Sequence, residues 1–145
     1  MSRFHRWFGI ALTVVFLATG QYMNLVAHVS ELTIGPRVLY RSRHIYVLMT
    51  ALLHLSLGAY LTSAPRGSAR VLQQLGSALI TLGSGLLVVA FFVDASRANL
   101  VPLDVVFSPW GIYSVAGGTL LHAIAAAIQR RIIALAPAQD GVEPL

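Results

Sequence analysis

The sequence predicts an all-α integral membrane protein, a four-helix bundle with both termini on the cytoplasmic side. Three observations predict it. Of the 145 residues, 57% are hydrophobic and only 10% are charged, far from the roughly 25% charged of soluble domains. The apolar residues fall in four continuous runs, and the arginines stand at the ends of those runs. A water-soluble fold of this length has too little interior to hide that much apolar surface. By length the chain is a single domain.

Crossing about 30 Å of hydrocarbon takes roughly 20 helical residues at about 1.5 Å each. The first span is 7–27, opened by Trp7 after Arg3, His5 and Arg6. A basic start, an apolar stretch, and the small residues Ala18 and Gly20 before Gln21 also fit a cleavable secretory signal. The apolar stretch nevertheless continues through Tyr22, Met23, Leu25, Val26 and Ala27 to spanning length, which favours an uncleaved helix.

The second span is 44–62, after a connection 29–43 that holds Gly35, Pro36 and a basic cluster. The third is 72–93, joined to the second through a short polar turn, 64–70, whose Pro65 and Gly67 predict a tight antiparallel hairpin. The fourth is 110–128, preceded by a segment 94–109 containing Asp94, Arg97, Asn99 and Asp104. The tail after Pro137 reads as a short disordered end. The runs do not alternate, as the strands of a membrane barrel would. Trp7, Tyr40, Tyr46 and Trp110 fall near span boundaries, where amphipathic rings anchor helices.

Orientation follows from arginines in short loops, which are retained on the cytoplasmic side. With the N-terminus inside, Arg3, Arg6, Arg66, Arg70, Arg130 and Arg131 are cytoplasmic, against Arg37, Arg41, Arg43 and Arg97 outside. The acidic residues Glu31, Asp94 and Asp104 fall in the outer segments. The expected location is a membrane crossed several times, the inner (plasma) membrane if the source is bacterial.

Several function classes drop out. The net charge of +5 sits in span-flanking arginines and forms no basic helix, so no nucleic-acid partner is expected. The absence of cysteine removes thiolate metal sites, disulfides and cysteine nucleophiles. No carboxylate lies within a span, and there is no phosphate loop and no His-x-x-x-His pattern. Without a soluble domain there is no catalytic platform, and no catalytic residue is expected.

Two polar groups remain as candidates. His54 and His122 lie about 15 and 18 Å along the second and fourth spans, at similar depth in two helices running the same way. Each sits on a stripe at spacing four: Thr50, His54, Gly58, Thr62, and Ser114, Gly118, His122, Ala126. Such stripes place the residues on one face and let a backbone or a flat ligand come close. One reading has the histidines hydrogen-bonding between tightly packed helices. The other makes them axial ligands of a haem b, with Gly58 and Gly118 giving clearance for the macrocycle. The third span has the same small-residue character, in Gly76, Gly83, Ser77, Thr81 and Gly85, and no histidine.

The second group gathers Gln21, Asn24 and His28, which share one helix face, with Arg41, Arg43 and His44 at the start of the second span. It reads either as an interfacial cluster for phospholipid phosphates or as a small-anion or quinone site. The resulting expectation is a non-catalytic membrane bundle or accessory subunit. Its alternatives are a haem- or quinone-binding electron carrier and a transporter or channel component. The expected partners are the bilayer, further membrane subunits or a second copy, and a quinone under the electron-transfer alternative.

Overall fold

A computed structural model describes residues 1–64, 67–97 and 106–135, and its helices are α1 Ser2–Leu25, α2 Ile34–Tyr60, α3 Ser68–Arg97 and α4 Phe107–Leu135. Pro65, Arg66, Asn99, Asp104 and the tail after Pro137 lie outside the described residues. Every helix begins before its predicted span, because hydropathy marks only the apolar part of a helix and not its polar first turns. Arg3, His5 and Arg6 therefore belong to α1 instead of preceding it.

The largest difference concerns the stretch 29–43. It is a short turn followed by ten residues of helix rather than one long connection. Gly35 and Pro36 fall in the first turn of α2, where the missing proline N–H costs little because the first four amides have no partner within the helix. The reversal uses His28, whose backbone is left-handed at φ 43°. Histidine is among the side chains that tolerate this region. The Val29 amide then donates back to the Met23 carbonyl at 3.0 Å.

Three helices, α1, α3 and α4, are long and apolar enough to cross a membrane. Of the four predicted spans, the second falls in α2, which is less apolar than the other three helices. At 27 residues α2 has the length, but Arg37, Arg41, Arg43, His44 and His54 lower its hydropathy. The outer surface fits a lipid setting, with Trp7 70% exposed and Leu17 61% exposed.

The four helices form two tight hairpins. In the first, Gly9 lies against Leu55 and Gly58 against Arg6. A Cβ on Gly58 would stand 2.7 Å from the Arg6 Cα. In the second, Gly76 meets Gly118 and Gly83 meets Gly111, so both helices carry glycines seven residues apart and pair them antiparallel. A Cβ on Gly118 would stand 2.5 Å from the Gly76 carbonyl oxygen. Small residues at such crossings replace the hydrophobic drive that lipid does not supply. The hairpins meet chiefly through α2 and α3. Helix α3 buries Gln73, Gly76, Ser77, Ile80, Gly83, Ser84, Leu87, Ala90, Phe91 and Asp94, a face repeating at spacings of three and four.

Side chains fasten both ends. At the near end, where α1 begins and α2 ends, Gln73 accepts from the Ala64 amide at 2.9 Å and donates to the Thr62 carbonyl at 3.1 Å. Gly67, at φ 86°, supplies the left-handed residue this link requires. At the far end Asp94 is not an outer-segment charge. It is 2% exposed and caps α4, accepting from the Phe107 and Ser108 amides at 3.3 and 3.0 Å and from the Ser108 hydroxyl at 2.6 Å. A carboxylate is favoured there by the positive end of the helix dipole.

Candidate functional site

Polar residues converge inside the bundle, about two turns from its near end. His54 comes from α2 and His122 from α4, as the stripes place them. The structure adds three members, His5 from α1 and Ser77 and Ser84 from α3. The His5 Nδ1 lies 2.8 Å from the His54 Nδ1, and its Nε2 lies 2.9 Å from the Ser77 Oγ. Ser77 Oγ is 3.1 Å from the His122 Nε2, and the His54 Nε2 is 3.2 Å from the Ser84 Oγ. His5 and His54 are fully buried and His122 is 9% exposed. Of these links, two lie within a hairpin and two, His5 to Ser77 and His54 to Ser84, join one hairpin to the other.

The protons in this chain can be assigned from the bonds. Ser84 gives its hydrogen to the Ile80 carbonyl at 2.7 Å, so it accepts from the His54 Nε2–H. A neutral His54 then has a bare Nδ1, which accepts from the His5 Nδ1–H. The bare Nε2 of His5 accepts from the Ser77 hydroxyl, and that hydroxyl accepts from the His122 Nε2–H. The one group without a partner is the His122 Nδ1, which this assignment makes an acceptor. The reverse assignment would compete for the Ser84 proton and leave a buried N–H unpaired, a rarer and costlier outcome than an unpaired acceptor. Three neutral imidazoles and two hydroxyls therefore form a chain with one direction, ending on a backbone carbonyl.

The glycines proposed for clearance lie at helix contacts. Gly58 faces Arg6 of α1, and Gly118 faces Gly76 and Ile80 of α3. The His5 ring neighbours both other histidines, its centroid 4.9 Å from that of His54 and 6.3 Å from that of His122. No group of three metal-ligating side chains in coordinating arrangement occurs among the described residues.

Gln21, Asn24, His28 and Arg41 are exposed. His44 turns inward, stacks on Phe16 at a centroid distance of 4.1 Å, and gives its Nδ1–H to Thr19 at 3.1 Å. The Thr19 hydroxyl is itself donated to the Phe16 carbonyl. Arg43 alone turns towards α4, where it lines a cavity of about 250 Å³. A larger cavity of about 560 Å³ lies between α2 and α4 at the near end, with His122, Gln73, Gln129 and Arg130 in its wall.

His5, Ser77 and Ser84 were not among the sequence candidates, Ser77 having been named only for the small-residue character of the third span. His5 reads as a flanking basic residue until α1 is extended to Ser2. It then heads the buried face His5, Gly9, Leu12 and Thr19. Ser84 stands seven residues, two turns, beyond Ser77 and so on the same face. No protein-family model matches the chain, and no curated protein or solved structure matches it either.

Proposed function

We propose that the chain is a non-catalytic, multi-pass membrane subunit whose buried histidines hold two helical hairpins together. The observation that carries this is the saturation of the network. Every histidine–serine hydrogen bond in it joins two different helices, and only the His122 Nδ1 lacks a partner. Hydrogen bonds between helices in membranes contribute about 0.6 kcal/mol each on average. Two of the four, His5 to Ser77 and His54 to Ser84, cross between the hairpins and give that thin contact a direction and a register that apolar packing does not specify.

The topology in this proposal has four crossings with both termini on the cytoplasmic side. Support comes from the antiparallel packing of α2 on α1, which aligns the less apolar helix with a strong span. The burial of Arg43 at 7% exposure removes it from the exposed arginines of the far end and strengthens the bias towards the near end as cytoplasmic. Because His5 sits within the network, α1 acts in this proposal as a resident helix and not as a removed leader. The partners are the bilayer, which covers the exposed apolar faces, and further membrane subunits or a second copy.

Electron transfer through haem is not favoured by this geometry. A macrocycle between His54 and His122 would have to displace the His5 ring and part Gly58 and Gly118 from the backbones they touch. Transport is also disfavoured, since the hydrogen-bonded chain stops at Ile80. The deciding experiment is the reduced-minus-oxidised absorption spectrum of purified protein expressed with haem precursor, in wild type, His54→Ala and His122→Ala. All three spectra are expected to be featureless, while the variants unfold at lower temperature. Sharp reduced-haem bands in wild type that vanish in both variants would overturn the proposal.

A further inference from the structure

At the far end of the α2–α4 seam stands a cationic group with few partners. Arg43 is 7% exposed, and a guanidinium carries five N–H donors in a planar fork. Its Nη1 donates to the hydroxyl of its own neighbour, Ser42, at 2.8 Å, and its Nε is buried without a hydrogen-bond partner. Asp94 is within electrostatic reach, yet its oxygens are held by the Phe107 and Ser108 amides and the Ser108 hydroxyl of α4. A nearly buried guanidinium in this position calls for acceptors from elsewhere.

The cavity beside Arg43 can supply them. It measures about 250 Å³ and is lined by Arg43 and Tyr46 from α2 and by Ser108, Pro109, Ile112 and Tyr113 from α4. The lining holds a guanidinium, two phenols and the Ser108 hydroxyl, and no carboxylate, so its one full charge is positive. A neutral carbonyl would fill part of the fork but would leave the charge of Arg43 paired only at a distance. A tetrahedral oxyanion answers both needs, because the planar fork takes two of its oxygens side by side.

We propose that this cavity binds a phosphate oxyanion, held by the Arg43 guanidinium of α2 and the Tyr113 phenol of α4. The phosphate comes either from a lipid headgroup reaching in from the bilayer or from free orthophosphate. The site uses none of the histidines, so it stands or falls independently of the network. It also joins the two helices that otherwise leave a gap, one from each hairpin.

The test uses full-length protein purified in a phosphorus-free maltoside detergent, comparing wild type, Arg43→Gln, Tyr113→Phe and Arg41→Gln. Two quantities are measured: phosphorus retained per protein, and the rise in unfolding temperature on titration with inorganic phosphate. Retained lipid phosphorus in wild type and Arg41→Gln, lost in Arg43→Gln, identifies a headgroup. No retained phosphorus, with a saturable response to inorganic phosphate that Arg43→Gln abolishes, identifies the free ion. Tyr113 is 71% exposed, so its phenylalanine variant folds and is expected to bind about tenfold more weakly, the loss of one hydrogen bond to a charged group. The proposal is overturned if wild type binds neither form, or if Arg43→Gln binds as wild type does. Should Arg43→Gln fail to fold, unchanged binding by Tyr113→Phe overturns it.

Discussion

Ser77 is the middle member of the buried network, one hydroxyl serving two rings from different helices. It donates to the His5 Nε2 at 2.9 Å and accepts from the His122 Nε2–H at 3.1 Å. Replacing it by alanine removes both bonds and leaves a buried donor and a buried acceptor facing a methyl group. Ser77→Ala is expected to lower stability by about 1–3 kcal/mol, measured as unfolding in detergent. Ser56 is the control, since its hydroxyl is exposed and bonds only to the Leu52 carbonyl of its own helix. Ser56→Ala should stay within about 0.5 kcal/mol of wild type. Equal effects of the two substitutions would show that the network contributes nothing beyond local hydroxyl loss.

At the scale of elements, close backbone approach distinguishes glycines that look alike in sequence. Gly117 and Gly118 are neighbours, yet a Cβ on Gly117 meets nothing within 4 Å while one on Gly118 meets the Gly76 carbonyl oxygen at 2.5 Å. Helices α3 and α4 must part to admit it, so Gly118→Ala is expected to cost about 1–3 kcal/mol. Gly117→Ala has open space and gains helix propensity, and should be neutral or stabilising by up to about 1 kcal/mol. Thermal unfolding of the two variants beside wild type checks this, and a reversed order would refute the antiparallel pairing of Gly76 with Gly118. Gly85 shows the same lesson. It belongs to a stripe with Ser77 and Thr81 in sequence, but nothing lies within 4 Å of its Cβ position.

At the scale of the molecule, the topology is open to direct measurement because the chain has no cysteine of its own. Ser30 lies in the α1–α2 turn and Ser63 in the α2–α3 link, and both are exposed. In a four-pass protein they face opposite sides. Ser63→Cys should react with a membrane-impermeant maleimide only when the cytoplasmic face is accessible, and Ser30→Cys only from the other face. Labelling of both from one side would mean that α2 does not cross and would overturn the four-pass topology.

The sequence by itself determined the helical class, the apolar character of α1, α3 and α4, and the burial of His54 and His122. These follow from composition and from a 3.6-residue period, both local properties of the chain. Of the small positions it singled out, Gly58, Gly76, Gly83 and Gly118 lie at helix contacts, whereas Thr62, Gly85 and Ala126 are exposed. Only the tertiary structure decided the partners: that His5 enters from α1, that Ser77 bridges it to His122, that Asp94 caps α4, and that Arg43 leaves its neighbours Arg41 and His44 to face α4. Partners at separations of 13 to 72 residues depend on how helices cross. That crossing is set by backbone contacts at glycines and by hydrogen-bond satisfaction across helices, and neither is written in the order of residues along one helix.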